Sequence, residues 1–257
     1  QASVDVHFDP FTDIDWDSPE FAIVPDDPRW ILPAEDPLGA HPWYQAQPIG
    51  RQIEIGMWRM ASICKVGLHF EQLLIRGLMQ YAASLPNSDP EFRYITHECA
   101  EECNHTMMFQ ELVDRIGMDD VIGMGPVDRL LTHAIWPLVD LFPEAFFTMV
   151  LGGEEPIDHL QKSILRGQST MHPIMTRIMA IHVAEEARHI SFAHEYLKRN
   201  APKLGRTQKF TLSLFMPLVM RVMAEMIATP PVEFVRKFQI PRAVMKDLYW
   251  DTPESSQ

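Results

Sequence analysis

Cysteine is scarce in this 257-residue chain: Cys64, Cys99 and Cys103 are odd in number and lack the paired spacing of a disulfide framework. A reducing cytoplasm is the expected location. Positive charge is also short, with 22 lysines and arginines against 35 acidic residues and a formal net charge of -13. Nucleic acids and anionic membranes bind cationic faces, so neither is expected as a partner. No charge-free apolar run reaches the roughly 20 residues of a bilayer span. The longest such run, Phe210 to Ala228, is broken by Pro217, Arg221 and Glu225 and reads as a core or interface helix. No basic-then-apolar leader opens the sequence, so no secretory signal is expected. Glycine is sparse beyond Gln52, and no alternating stretch long enough for a strand follows it, which argues against a sheet.

What is present is helical periodicity. Apolar residues recur at three and four from Gln52 onward, interrupted at Pro86-Asn87-Ser88, Gly117 to Pro126, Gly167 to Pro173, Pro202 to Gly205 and Pro230-Pro231. These breaks predict helices near 50–85, 89–116, 127–166, 172–200, 206–229 and 232–249. The third contains Pro137, Pro143 and Pro156 and should be kinked or locally broken. Residues 1 to 47 are rich in proline, aspartate and aromatics and show no sustained period, which predicts an extended arm lying over a helical domain of residues 48–257. Met216, Met220, Met223 and Met226 form a stripe that reads as core or dimer contact, with an adaptable pocket as the alternative.

Two Glu-x-x-His motifs stand on predicted helices, Glu102-Cys103-Asn104-His105 and Glu186-Ala187-Arg188-His189. Residues three apart share a helix face, so each motif offers a carboxylate and an imidazole to one point. Two such helices, with one glutamate from each of two others, form the ligand pattern of ferritin-like di-metal bundles. The remaining glutamates follow from register. Glu71, Glu102 and His105 recur as Glu155, Glu186 and His189 after one constant shift of 84 residues. Glu155 is preferred to its neighbour Glu154 because it alone is reached by that shift from Glu71, and Glu102 is preferred to Glu101 as the residue that the same set carries onto Glu186.

The register has a geometric basis, since residues of an antiparallel helix pair face each other when equally far from the turn. The midpoint of Glu71 and Glu102 falls in Leu85-Pro86-Asn87-Ser88, and that of Glu155 and Glu186 falls between Gly167 and His172-Pro173. Both hairpins thus level their carboxylates about 23 Å from the turn, at about 1.5 Å rise per residue. Four carboxylates would be balanced by two divalent cations, whereas without metal they would form an unfavourable buried group of like charges. Oxygen and imidazole donors suit iron or manganese. His182, one turn before Glu186, extends the stripe to His182, Glu186 and His189 as a seventh ligand or a histidine bonded to a ligand carboxylate. The same shift relates it to Glu98, a further candidate for the surrounding shell.

His182-x-x-x-Glu186-x-x-His189, Gly153-Glu154-Glu155 and Glu102-x-x-His105 resemble the di-iron N-oxygenases of the p-aminobenzoate N-oxygenase family, over roughly residues 50 to 230. The resemblance implies a ferritin-like four-helix bundle and a homodimer. It also implies two iron ions bound by Glu71, Glu102, His105, Glu155, His182, Glu186 and His189. The implied activity is oxidation of a small aromatic or amine-bearing molecule by dioxygen, with electrons from an external donor. An acyl-type desaturase or hydroxylase, or a non-catalytic iron-binding protein, shares the paired motif, and His182 weighs against both. A radical-generating reductase subunit fits less well, since its tyrosine position one turn past the first motif is Phe109.

Overall fold

The computed structural model describes residues 6–118, 136–167 and 171–249, and among these every regular element is helical. Four long helices make a ferritin-like bundle: α1 (Ile49–Ala82), α2 (Pro90–Ile116), α3 (Pro143–Arg166) and α4 (Pro173–Asn200). Helices α1 and α2 pack as one hairpin and α3 and α4 as the other. Local chemistry sets their ends. The Asp89 side chain accepts from the amide of Glu91, Pro90 opens α2, and Gly117 closes it at φ 75°, a left-handed value that costs glycine little. His172 caps α4 through Ile174 N–H, and Pro173 follows at the first helical position.

The segment expected as one kinked helix over 127–166 is divided. A short helix, Trp136–Leu141, ends before Phe142, whose extended φ of -153° precedes Pro143 and the start of α3. The part of that expectation over 127–135 lies outside the described residues. Helix α3 then continues through Pro156 without a change of helix type.

Two apolar layers sandwich a polar one. Along α1, Met57, Met60, Cys64 and Leu68 precede Glu71, and Leu74, Leu78 and Tyr81 follow it. On α2, Ile95 and Cys99 lie to one side of His105 and Met108, Leu112 and Val113 to the other. On α4, Ile178 and Ile181 precede His182, and Ala193 and Tyr196 follow His189. Each fully buried large apolar side chain, such as Phe147 or Leu112, contributes about 1.5–3 kcal/mol. That burial holds the polar layer level and dry.

The N-terminal segment packs across this body through short helices, including the 3-10 helix Pro28–Trp30 and the single α-helical turn Pro42–Gln45. Trp30 stacks on His172 at 4.4 Å between ring centroids. The Tyr44 hydroxyl accepts from Leu32 N–H at 2.8 Å and donates to the Gln52 carbonyl at 2.9 Å. Gly56 lets α1 approach the segment: a Cβ there would lie 1.8 Å from the Trp30 carbonyl oxygen.

Beyond the bundle, α5 (Arg206–Ala228) lies on α3, followed by α6 (Val232–Lys237) and α7 (Arg242–Tyr249). Met220 and Met223 of α5 sit against Gly152 and Gly153. The opposite face, with Phe210, Leu214 and Leu218, is exposed in the single chain, so α5 is not a core helix. By length and composition alone, Arg206–Lys237 is apolar enough to cross a membrane.

Candidate metal centre

Glu71 on α1, Glu102 and His105 on α2, Glu154 on α3, and His182, Glu186 and His189 on α4 converge in the middle of the bundle, all buried. The donor atoms fall into groups whose members lie within 4.8 Å of one another: Glu71, His105 and His182; Glu98, Glu102 and His189; Glu102, His105 and Glu186; and Glu154, His182 and Glu186. Glu102 and Glu186 occupy the centre. Glu102 places Oε2 3.0 Å from His105 Nδ1 and Oε1 2.8 Å from His189 Nδ1. Glu186 mirrors it, with Oε1 3.2 Å from His105 Nδ1 and Oε2 3.2 Å from His189 Nδ1. His182 turns Nε2 toward Glu71 Oε1 at 3.3 Å and Glu186 Oε1 at 3.8 Å.

The expected set needs one correction. Glu155 does not reach the cluster; its side chain is 49% exposed and pairs with the exposed His194. Glu154 takes the place on α3, at 4% exposure. Neighbouring helical residues point about 100° apart, so only one of the two can face the bundle axis. The face that does so runs through Phe147, Val150, Leu151, Glu154 and Asp158, all buried. That apolar stripe is visible in the sequence and favours Glu154 over the constant shift of 84.

Glu101 and Glu185, the residues just before the two motif glutamates, are the site residues that sequence reasoning passed over. Glu101 of α2 accepts at Oε2 from His189 Nε2 of α4 at 2.7 Å. Glu185 of α4 meets His105 Nε2 of α2 at 2.9 Å through Oε2. Each motif helix thus orients the other's imidazole. The signal was available, because the pair also obeys the 84-residue shift. Arg188 stands between them, donating to Glu101 Oε1 at 2.7 Å and lying 3.7 Å from Glu185 Oε1.

The electrostatics are those of a crowded buried acid layer. Burial, followed by the neighbouring carboxylates, drives Glu71 and Glu154 well above the usual carboxylate range. Burial likewise brings Glu98 to about 8 and depresses His182 to about 4. For Glu102 and Glu186 burial also acts upward, but the facing imidazoles outweigh it and both end below the ordinary value. His105 and His189 go the other way: despite burial, their carboxylate partners raise them well above 6.5.

The whole chain, residues 1–257, matches the family model described as p-aminobenzoate N-oxygenase AurF. The chain belongs to this family. Members of the AurF family are di-iron oxygenases, and the helical bundle fits that kind of enzyme. Similar proteins include Mb0909 of Mycobacterium bovis and Rv0885 of Mycobacterium tuberculosis, both described as uncharacterized. Each is 58% identical over 255 residues, covering 99% of this chain and 75% of the relative. No solved structure matches the chain.

The residues present suit the metal that the AurF family implies. Glu71 Oε2, Glu98 Oε2 and Glu154 Oε2 are buried without a hydrogen-bond partner. Most buried polar atoms find a partner, and such orphans facing one space mark a place for cations. The donors are oxygen and imidazole nitrogen, the chemistry iron and manganese prefer.

Proposed function

We propose that this member of the AurF family is a di-iron oxygenase that uses dioxygen and an external electron donor to oxidise a small aromatic or amine-bearing substrate. The observation carrying the proposal is the mirrored arrangement of Glu102 and Glu186, each spanning the Nδ1 atoms of His105 and His189. A carboxylate with one oxygen toward each of two imidazoles is placed to hold two cations side by side.

Glu71, Glu154 and His182 would complete the coordination of two iron ions, with manganese as the alternative metal. An iron pair supplies redox chemistry with dioxygen that side chains lack. The chain does the rest. Glu101 and Glu185 accept from the Nε2–H groups of His189 and His105, which fixes the tautomer and points each Nδ1 lone pair inward. Glu98, raised to about 8 by burial, holds a proton on a carboxyl oxygen beside Glu102 and His189. Phe109 lies against His182 with ring centroids 5.5 Å apart and fills the position where a redox tyrosine would stand in a radical-generating enzyme. The apolar layers above and below exclude bulk water and so favour oxidation of substrate over loss of oxidant.

The free thiols suit a reducing compartment such as the cytoplasm. The exposed face of α5 bearing Phe210, Leu214 and Leu218 is proposed to pack on a second copy of the chain, giving a homodimer. Light scattering on the purified chain tests this: a dimer supports it and a monomer rejects it.

The activity is tested by reducing the iron-loaded protein, adding isotopically labelled dioxygen with a panel of aryl amines and related aromatics, and analysing products by mass spectrometry. Labelled oxygen in a product, with substrate-dependent oxygen uptake, is expected. Uptake that stops once the iron is oxidised, whatever substrate is present, would reject the oxygenase reading.

A further inference from the structure

The two orienting carboxylates are supported differently, and the difference leads to the N-terminal segment. Glu101 has both oxygens occupied by the body of the bundle, Oε2 by His189 at 2.7 Å and Oε1 by Arg188 at 2.7 Å. Glu185 gives Oε2 to His105 at 2.9 Å, but Arg188 stays 3.7 Å from Oε1. The main-chain N–H of Phe8 fills that place and donates to Glu185 Oε1 at 3.0 Å.

Phe8 is held by its carbonyl as well. The side-chain amide of Asn104, inside the first Glu-x-x-His motif, donates to Phe8 O at 2.9 Å. One residue of the segment therefore bonds α4 through its N–H and α2 through its carbonyl, as a strand bonds its neighbours. Around this contact Phe8 and Pro10 close with Met108 and Ile181 over His105 and Glu185, leaving no room for a water molecule.

The following residues are tied to the same two helices. Arg177 of α4 donates to the Asp13 carbonyl at 2.9 Å, and Arg115 of α2 donates to the Trp16 carbonyl at 3.0 Å. Trp16 Nε1 donates back to the Pro10 carbonyl at 2.7 Å and stiffens the loop between them. The strap thus crosses the seam between α2 and α4 directly outside the imidazoles.

We infer that this strap is a working part of the metal centre: Phe8, fixed by Asn104, positions Glu185 and through it His105, so that strap docking and metal loading are thermodynamically coupled. The inference rests on the di-iron reading and adds Phe8 and Asn104 to it as positioning residues. The physical basis is linkage. A carboxylate holding a ligand imidazole strengthens metal binding, and its loss weakens binding about 10- to 100-fold. If docking raises metal affinity by some factor, bound metal must raise docking by the same factor. The support comes from a main-chain amide, so the identity of residue 8 conceals it.

Anaerobic titration of the 257-residue chain with cobalt(II), followed by its visible absorption, tests this together with hydrogen exchange over residues 6–16. In the wild type, cobalt should bind and slow exchange at Phe8 and its neighbours by about the coupling factor, 10-fold or more. Asn104→Ala and Phe8→Pro, the latter removing the N–H, should each weaken cobalt binding about 10-fold and alter the cobalt spectrum. Asn104→Gln, which keeps a side-chain amide, should recover part of the loss. A merely structural role would lower the melting temperature of the metal-free protein but leave the spectrum unmoved. Cobalt binding with wild-type affinity and spectrum in both variants, and exchange indifferent to metal, would overturn this inference and leave the di-iron reading standing. Failure of the wild type to bind cobalt would overturn both.

Discussion

Glu101 and His189 are 88 positions apart and on different helices, yet Glu101 Oε2 lies 2.7 Å from His189 Nε2. Glu185 and His105 repeat the relationship in the opposite direction, at 2.9 Å. This exchange couples α2 to α4 through the groups that aim the imidazoles, so the rigidity of the site does not depend on either helix alone. A site built this way presents its donors before metal arrives, which limits the reorganisation that binding requires.

Glu101→Ala should therefore weaken metal binding about 10- to 100-fold without removing a proposed ligand. Arg188→Ala should act in the same direction, because it frees Glu101 Oε1. Anaerobic metal titrations of both variants measure the effect. Wild-type affinity in Glu101→Ala would show that His189 needs no such partner.

Adjacent residues on α3 give a sharper test of the ligand set. Glu154→Ala should lower metal content, since its carboxylate belongs to the group with His182 and Glu186, while Glu155→Ala should leave metal content unchanged. Elemental analysis of the two purified variants decides between them. The opposite result would restore the assignment that the constant shift suggests.

That pair also shows what can be read from residue order. The six positions Glu71, Glu102, His105, His182, Glu186 and His189 meet in space, and spacing alone pointed to each, because helix periodicity and hairpin turns fix height and face together. Glu155 failed since the shift assumes equal register in both hairpins, and the α3–α4 hairpin departs from it by one residue. A one-residue error rotates a side chain about 100° off the axis. The burial stripe through Phe147, Leu151 and Glu154 is the better guide, since it measures the face directly. Helix boundaries near Asp89, Gly117 and His172 were legible because caps and prolines mark them. The role of Phe8 was not, since it acts through backbone atoms that every residue but proline possesses.

Protonation supplies a further prediction. In the metal-free site carboxylate partners raise His105 and His189, and burial raises Glu71 and Glu154, so all four hold a proton more firmly than the free groups do. Cations must displace those protons, so loading should release protons, with affinity falling as pH is lowered. The sign for folding without metal is reversed. Groups whose folded values are raised stabilise the fold while protonated, so this contribution is present below their unfolded values and is lost as pH rises through the folded ones. His182, lowered to about 4, acts the opposite way only below its unfolded value of 6.5, so above that value the melting temperature of metal-free protein should fall as pH increases. Calorimetry in buffers of different ionisation enthalpy counts the protons, and thermal melts across pH check the sign; no proton release on loading would contradict this account of the layer.

The most direct test is the iron content of the reconstituted wild-type chain beside that of Glu102→Ala and Glu186→Ala, with Mössbauer spectra recorded on each. The account predicts about two iron ions per chain in a coupled pair for the wild type and loss of that pair in both variants. Equal iron content in all three, or isolated single iron ions in the wild type, would contradict it.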